Sequence, residues 1–88
     1  MKMIVAILEN TLSEKVSKAL IDSGFRLTRL ASTGGFLREG TTTLMVGVQD
    51  EMLENALEII RQQAPSGGES DKVRATIYVL NVKDFRRI

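Results

Sequence analysis

Apolar residues follow two different periods along the chain, and these periods predict its strands and helices. Residues 3–8 are all apolar, which is typical of a strand in the middle of a sheet. Alternating apolar and polar residues in 25–30, 42–48 and 73–82 predict three further strands. Apolar residues repeat every three or four positions in 12–23 and again after Asp50, which predicts two helices. The predicted order is strand, helix, strand, strand, helix, strand.

Capping and breaking residues mark the ends of the predicted helices. Thr11 and Glu14 have the spacing of a capping box, so we expect the first helix to begin just after Thr11. Gly24 is expected to end that helix in a left-handed conformation. Asp50 is expected to cap the second helix, which Pro65 cannot continue.

The glycine-containing segments 31–40 and 66–72 are predicted to be loops. With these loops, the order of elements predicts an α+β, ferredoxin-like βαββαβ sandwich, a four-stranded antiparallel sheet with two helices on one face. Because single domains seldom divide below about 100 residues, we expect residues 1–88 to form one domain.

The sheet face opposite the helices is predicted to be partly apolar. Such a patch is unfavourable in water, so we expect neighbouring subunits to cover it. A monomer with a half-polar sheet is the alternative. By alternation, the residues of this face include Arg26, Thr28, Met45, Tyr78 and Leu80.

The composition argues against an enzyme or a metalloprotein. The chain has no cysteine and no histidine, which excludes thiolate chemistry, the commonest general base and the commonest metal ligand. Glu51, Glu54 and Glu58 fit the solvated outer face of the second helix better than a metal site. We therefore predict no catalytic residues, no metal and no cofactor.

The charge balance and hydropathy indicate where the protein works. Twelve Lys and Arg against eleven Asp and Glu give a net charge of +1, which favours neither nucleic acid nor an acidic membrane as partner. The basic residues of the tail 83–88 are too few for a nucleic-acid footprint. No apolar run approaches the ~20 residues of a membrane span, and the opening apolar run is short for a signal peptide. We expect a cytoplasmic protein.

Segment 26–43 carries the candidate binding chemistry. A glycine pair lets backbone N–H groups approach an anion, hydroxyls offer hydrogen bonds, and a guanidinium suits a phosphate or a purine edge. An aromatic residue at a loop tip could stack on a base. From the residues alone a simple turn, a folded-back loop and a structural ion pair remain alternatives. The residues concerned are Arg26, Thr28, Ser32, Thr33, Gly34, Gly35, Phe36, Leu37 and Thr41.

This segment, together with 2–7, 42–48 and 75–85, resembles the PII-like cyclic di-AMP receptor family. The resemblance implies a non-enzymatic signalling protein, a homotrimer of ferredoxin-like subunits with a cyclic dinucleotide in each cleft between subunits. Our hypothesis is that binding reorders 31–40 and 65–72 and so changes the surface seen by an unidentified protein target. The ligand expected first is cyclic di-AMP.

The resemblance also assigns roles to individual residues. It gives Arg26 and Thr28 to the base or phosphate and Gly47 to the strand that lines the cleft. It gives Tyr78 to an aromatic contact with a base, and it places Gly35, Phe36 and Leu37 in a loop that packs on the adenine. The complete predicted site is Arg26, Thr28, Thr33, Gly34, Gly35, Phe36, Leu37, Thr41, Gly47 and Tyr78.

Three features depart from the family pattern. Thr41 stands where ligand-binding members place Asn, the connection 64–73 is shorter than the family's loop, and Val73-Arg74 replaces Gly-Gly. Two alternatives follow, a receptor with altered ligand preference or a trimeric protein-interaction module that has lost cyclic di-AMP. A ferredoxin-like acylphosphatase is disfavoured because its first loop needs cations, and here that loop begins with Glu9.

Overall fold

The computed structural model describes residues 1–31, 40–64 and 75–88. Its four strands form one antiparallel sheet in the order β2-β3-β1-β4, and both helices contribute to the same core. The predicted ferredoxin-like arrangement is confirmed. The elements are β1 (Lys2–Glu9), α1 (Asn10–Asp22), β2 (Leu27–Ala31), β3 (Thr41–Val48), α2 (Leu53–Gln63) and β4 (Ala75–Asn81).

The core lies between the helices and one face of the sheet. Alternate side chains of β1 and β3 point into it, while the residues between them point away. Burial of an aliphatic side chain of this size stabilises the fold by roughly 1.5–3 kcal/mol relative to exposure. The fully buried large aliphatic side chains are Ile4, Leu8, Val16, Leu20, Leu44 and Val46, with Ile60 only 2% exposed.

The predicted capping box at the start of α1 is wrong. The helix begins at Asn10, so Thr11 lies inside it, and no side chain caps its first turn. Instead the backbone N–H of Asn10 donates to the carbonyl of Gly40 over 2.9 Å. The Ser13 hydroxyl donates to the Asn10 carbonyl over 2.7 Å. A contact between distant parts of the chain therefore fixes this helix end.

The predicted cap at Asp50 is wrong as well. Asp50 begins a 3₁₀ turn, Asp50–Met52, and α2 starts only after that turn. Its carboxylate accepts a hydrogen bond from the Met1 ammonium over 2.9 Å, with most of the Asp50 side chain exposed. This ammonium holds the pKa of the Asp50 carboxyl below its ordinary value.

The predicted ends of both helices are confirmed. Gly24 has φ +91°, the left-handed conformation that suits glycine after a helix. Ala64 follows α2 with φ −79° and ψ 133°, the extended conformation favoured before a proline. Neither helix in the described ranges is long and apolar enough to cross a membrane.

The strand register confirms which residues lie opposite the helices. Met45 pairs with Thr28 on one side and Val5 on the other, and Val5 pairs with Tyr78. We call this side of the sheet the open face. By register it carries Met3, Val5, Ile7, Thr28, Leu30, Thr43, Met45, Gly47, Thr76, Tyr78 and Leu80.

The edge strand β4 is exposed on both sides. On the open face Tyr78 is 54% and Leu80 51% exposed, and on the helix side Ile77 and Val79 are also exposed. The predicted strand began at residue 73, and residues 73–74, like the predicted loop 66–72, lie outside the described ranges.

Candidate ligand-binding site

A cavity of about 770 Å³ lies at the end of the sheet where β1 and β2 begin and where β3 and β4 end. Its volume is within the range of about 300–1,000 Å³ typical of small-molecule sites. Its walls come from the starts of β1 and β2, the end of β3, the turn before α2 and the residues after β4. We call it the end cavity.

Of the predicted site residues that the structure describes, three line the end cavity, namely Arg26, Thr28 and Gly47. Arg26 immediately precedes β2 and Thr28 is the second residue of that strand, with both side chains exposed. Gly47 lies near the end of β3, opposite Met3 of β1. Arg26, Thr28 and the backbone at Gly47 therefore border the same cavity.

The fold does not require a glycine at position 47. Its φ is not in the left-handed region, and a Cβ added there would meet nothing within 4 Å among the described residues. An alanine would therefore project into open space without a clash. The glycine leaves room in the cavity that a ligand can use.

Two predicted residues lie elsewhere. Tyr78 is on the open face but on β4, and it does not line the end cavity. Thr41 is the first residue of β3 and pairs with Glu9 at the opposite end of the sheet. At ~3.4 Å per residue, Thr41 and Gly47 are about 20 Å apart along β3. The chain by itself does not bring Thr41 to the cavity.

The other predicted site residues lie outside the described ranges, so their positions stay predictions. These are Thr33, Gly34, Gly35, Phe36 and Leu37.

Sequence reasoning missed the contribution of methionine. All four methionines of the chain line the end cavity. Flexible, polarisable thioethers adapt to irregular shapes and make favourable contacts with aromatic rings. Alternation had placed only Met45 on this side of the sheet. The four are Met1, Met3, Met45 and Met52.

It also missed the tail that follows β4. Phe85 and Arg87 both line the end cavity. The backbone N–H of Val82 donates to the carbonyl of Met1 over 3.1 Å, which holds the start of this tail beside β1. The tail has no periodic pattern of apolar residues from which its position beside β1 could have been predicted.

The end cavity has a cationic lining. Arg26 and Arg87 are the basic side chains of the described lining, and no acidic residue belongs to it. The Met1 ammonium, by contrast, is already paired with Asp50. Since opposite charges attract and Arg matches phosphate geometry, the lining favours an anionic ligand.

Glu58, one of the three glutamates considered for a metal site, already forms an ion pair with Arg61. Glu58 accepts hydrogen bonds from Arg61, with a closest approach of 2.6 Å, on an exposed part of α2. Across the described ranges, no three His, Cys, Asp or Glu side chains form a group that could hold a metal ion.

The basic and methionine side chains of the end cavity suit an anionic organic ligand. Comparison with known families is more specific. The chain belongs to the cyclic-di-AMP receptor family, whose model matches residues 1–73. The matched range includes Arg26, Thr28 and Gly47 and ends before β4.

A solved structure extends the likeness to the remainder of the chain. The crystal structure of a functionally unknown protein from Pediococcus pentosaceus ATCC 25745 is similar, with a TM-score of 0.77 and 35% sequence identity. The match covers 99% of this chain and 96% of that chain. β4 and the tail therefore belong to a shared fold.

Proposed function

We propose that the protein is a non-enzymatic signalling receptor that binds cyclic di-AMP in the clefts between the subunits of a homotrimer. One observation carries the proposal. Arg26 just before β2, Thr28 on β2 and Gly47 on β3 line a single cationic cavity of about 770 Å³. Membership of the cyclic-di-AMP receptor family supports cyclic di-AMP as the ligand.

Each cavity residue suits part of a cyclic dinucleotide. The Arg26 guanidinium donates charge-assisted hydrogen bonds to a phosphate, and the Thr28 hydroxyl can donate or accept beside it. Gly47 lets the ligand approach the backbone of β3. The Met3 and Met45 side chains give an apolar surface on which a base can pack.

Two observations support a site shared between subunits. The open face is apolar and includes side chains such as Tyr78 and Leu80 that are more than half exposed, an arrangement that favours association. Thr41 and the end cavity lie at opposite ends of the sheet. In the proposed trimer, Thr41 and the loop before it therefore contact the ligand held in the cavity of a neighbouring subunit.

Calorimetry and sedimentation test the proposal together. We expect heat on titration with cyclic di-AMP, a weaker response to cyclic di-GMP, and a trimer in sedimentation at micromolar concentration. Absence of heat from both nucleotides would overturn the receptor proposal. A trimer that binds neither nucleotide but retains one dominant protein partner would favour the interaction module. Monomers alone would exclude a cleft between subunits.

The Arg26→Ala substitution tests the cavity itself. Loss of a charge-assisted hydrogen bond should lower the affinity for cyclic di-AMP by about 1.5–3 kcal/mol, as measured by calorimetry. Arg29→Ala is the matched control, because Arg29 is equally exposed on β2 but pairs with Leu44 and does not line the cavity. Equal affinities of the two variants would remove Arg26 from the site.

A further inference from the structure

We infer that Arg87, in the tail beyond the family match, is a second phosphate-binding residue of the end cavity. The inference rests on the proposed function for the identity of the ligand. It goes beyond it by assigning a contact to a segment that neither the predicted site nor the matched range 1–73 includes.

The tail reaches the cavity through a defined path. Val82 is tied to Met1 by a backbone hydrogen bond of 3.1 Å, directly beside the cavity wall. Three residues later Phe85 enters the lining, and Arg87 follows it, while Arg86 between them does not line the cavity. The two adjacent arginines therefore face different surroundings.

The two arginines also differ in whether a carboxylate balances their charge. Arg86 donates to the Asp84 carboxylate over 3.2 Å, so its charge is balanced locally. Within the described ranges neither Arg87 nor Arg26 has a carboxylate partner. A guanidinium that lines a cavity without a local counter-ion is available to an anionic ligand.

The number of charges matches the ligand class. A cyclic dinucleotide carries two phosphodiester groups, each with one negative charge. Arg26 at the start of β2 and Arg87 on the tail enter the end cavity from separate parts of the chain. One guanidinium for each phosphate would leave the bound complex without an unpaired charge, which a partly apolar cavity requires.

The adjacent arginines give a matched test. Arg87→Gln and Arg86→Gln remove the same charge from neighbouring exposed positions, so general electrostatics affects both alike. We expect Arg87→Gln to weaken cyclic di-AMP binding roughly 10- to 150-fold, the effect of one charge-assisted hydrogen bond. Arg86→Gln should change the affinity less than about twofold. Arg87→Lys, which keeps the charge without the fork, should recover part of the loss.

The salt dependence of binding gives a second readout. If Arg87 contacts a phosphate, the affinity of Arg87→Gln should fall less steeply with salt than that of the wild type or of Arg86→Gln, because one fewer ionic contact is screened. Similar affinities and salt slopes for Arg87→Gln and Arg86→Gln would overturn the inference and leave the proposed function intact.

Titration with inorganic pyrophosphate tests this inference independently of the proposed function. If the wild type binds no cyclic di-AMP, the receptor proposal fails, but the two cations should still bind pyrophosphate at millimolar concentration. NMR shifts on titration should then be reduced in Arg87→Gln and in Arg26→Gln, and retained in Arg86→Gln. If the wild type binds neither compound, or if all variants bind pyrophosphate alike, the inference is wrong.

Discussion

The two faces of the sheet are built from similar residues but have opposite surroundings. On the helix side Ile4, Leu44 and Val46 are completely buried. On the open face, one residue further along each strand, Val5 and Met45 are only partly buried. The difference shows that apolar strand residues in this protein serve two purposes. One face closes the core of the subunit, and the other is the surface that we propose for ligand and neighbouring subunits.

The largest difference in stability is expected between two leucine-to-alanine substitutions, one on each face of the sheet. Leu44→Ala removes a fully buried side chain and should lower the free energy of unfolding by about 2–5 kcal/mol. Leu80→Ala removes a side chain that is 51% exposed and should change the stability of an isolated subunit by about 0.5 kcal/mol or less. Urea denaturation measures both.

Protein concentration distinguishes a folding defect from an assembly defect in this pair. The midpoint shift of Leu44→Ala should persist at every concentration, whereas Leu80→Ala should mainly raise the concentration at which the oligomer dissociates. If Leu80→Ala leaves the sedimentation profile unchanged, the part of the open face around β4 is not an interface.

Substitution of Gly40, in the turn before β3, or of Gly47, in β3, should have an effect of intermediate size. Gly40 has φ +84°, so Gly40→Ala should destabilise the fold by about 1–2 kcal/mol. Gly47→Ala meets no steric conflict and should unfold at the same or a slightly higher urea concentration than the wild type, because alanine restricts the unfolded chain, yet it should bind cyclic di-AMP more weakly. Wild-type affinity in Gly47→Ala would show that the ligand does not occupy the space above this residue.

The smallest effect concerns the ion pair at the edge of the end cavity. Because the Met1 ammonium lowers the pKa of Asp50 in the folded protein, the pair stabilises the fold above the ordinary carboxyl value of 3.8 and is lost as the pH falls through the lowered value. Asp50→Asn should therefore unfold slightly more easily than the wild type at neutral pH. In strong acid the two urea midpoints should coincide, and a constant difference would exclude the pair as the cause.

The sequence allowed prediction of the fold because the two apolar periods mark its strands and helices. The continuous apolar run 3–8 predicted a central strand, and β1 lies between β3 and β4. The alternation of 42–48 predicted that Leu44, Val46 and Val48 face the helices, and all three are buried. The helix caps could not be predicted from local motifs. The partners of Asn10 and Asp50 are Gly40 and Met1, which are distant in the chain.

The candidate site was only partly predictable for a related reason. Alternation placed Arg26 and Thr28 on the open face, and family resemblance added Gly47, and all three line the end cavity. Arg87 could not be recognised, because its position depends on a tail that returns to β1 through a single backbone contact. Nothing in the composition of the tail distinguishes Arg87 from Arg86.

The hydrogen bond between Val82 and Met1 has a practical consequence for anyone who handles this protein. The first residue of the chain and the segment that follows the last strand sit together at the rim of the end cavity. A purification tag or fused fluorescent domain attached before Met1 or after Ile88 would emerge beside the end cavity, where we propose that the ligand binds. Untagged protein is therefore the proper reference for every affinity measurement.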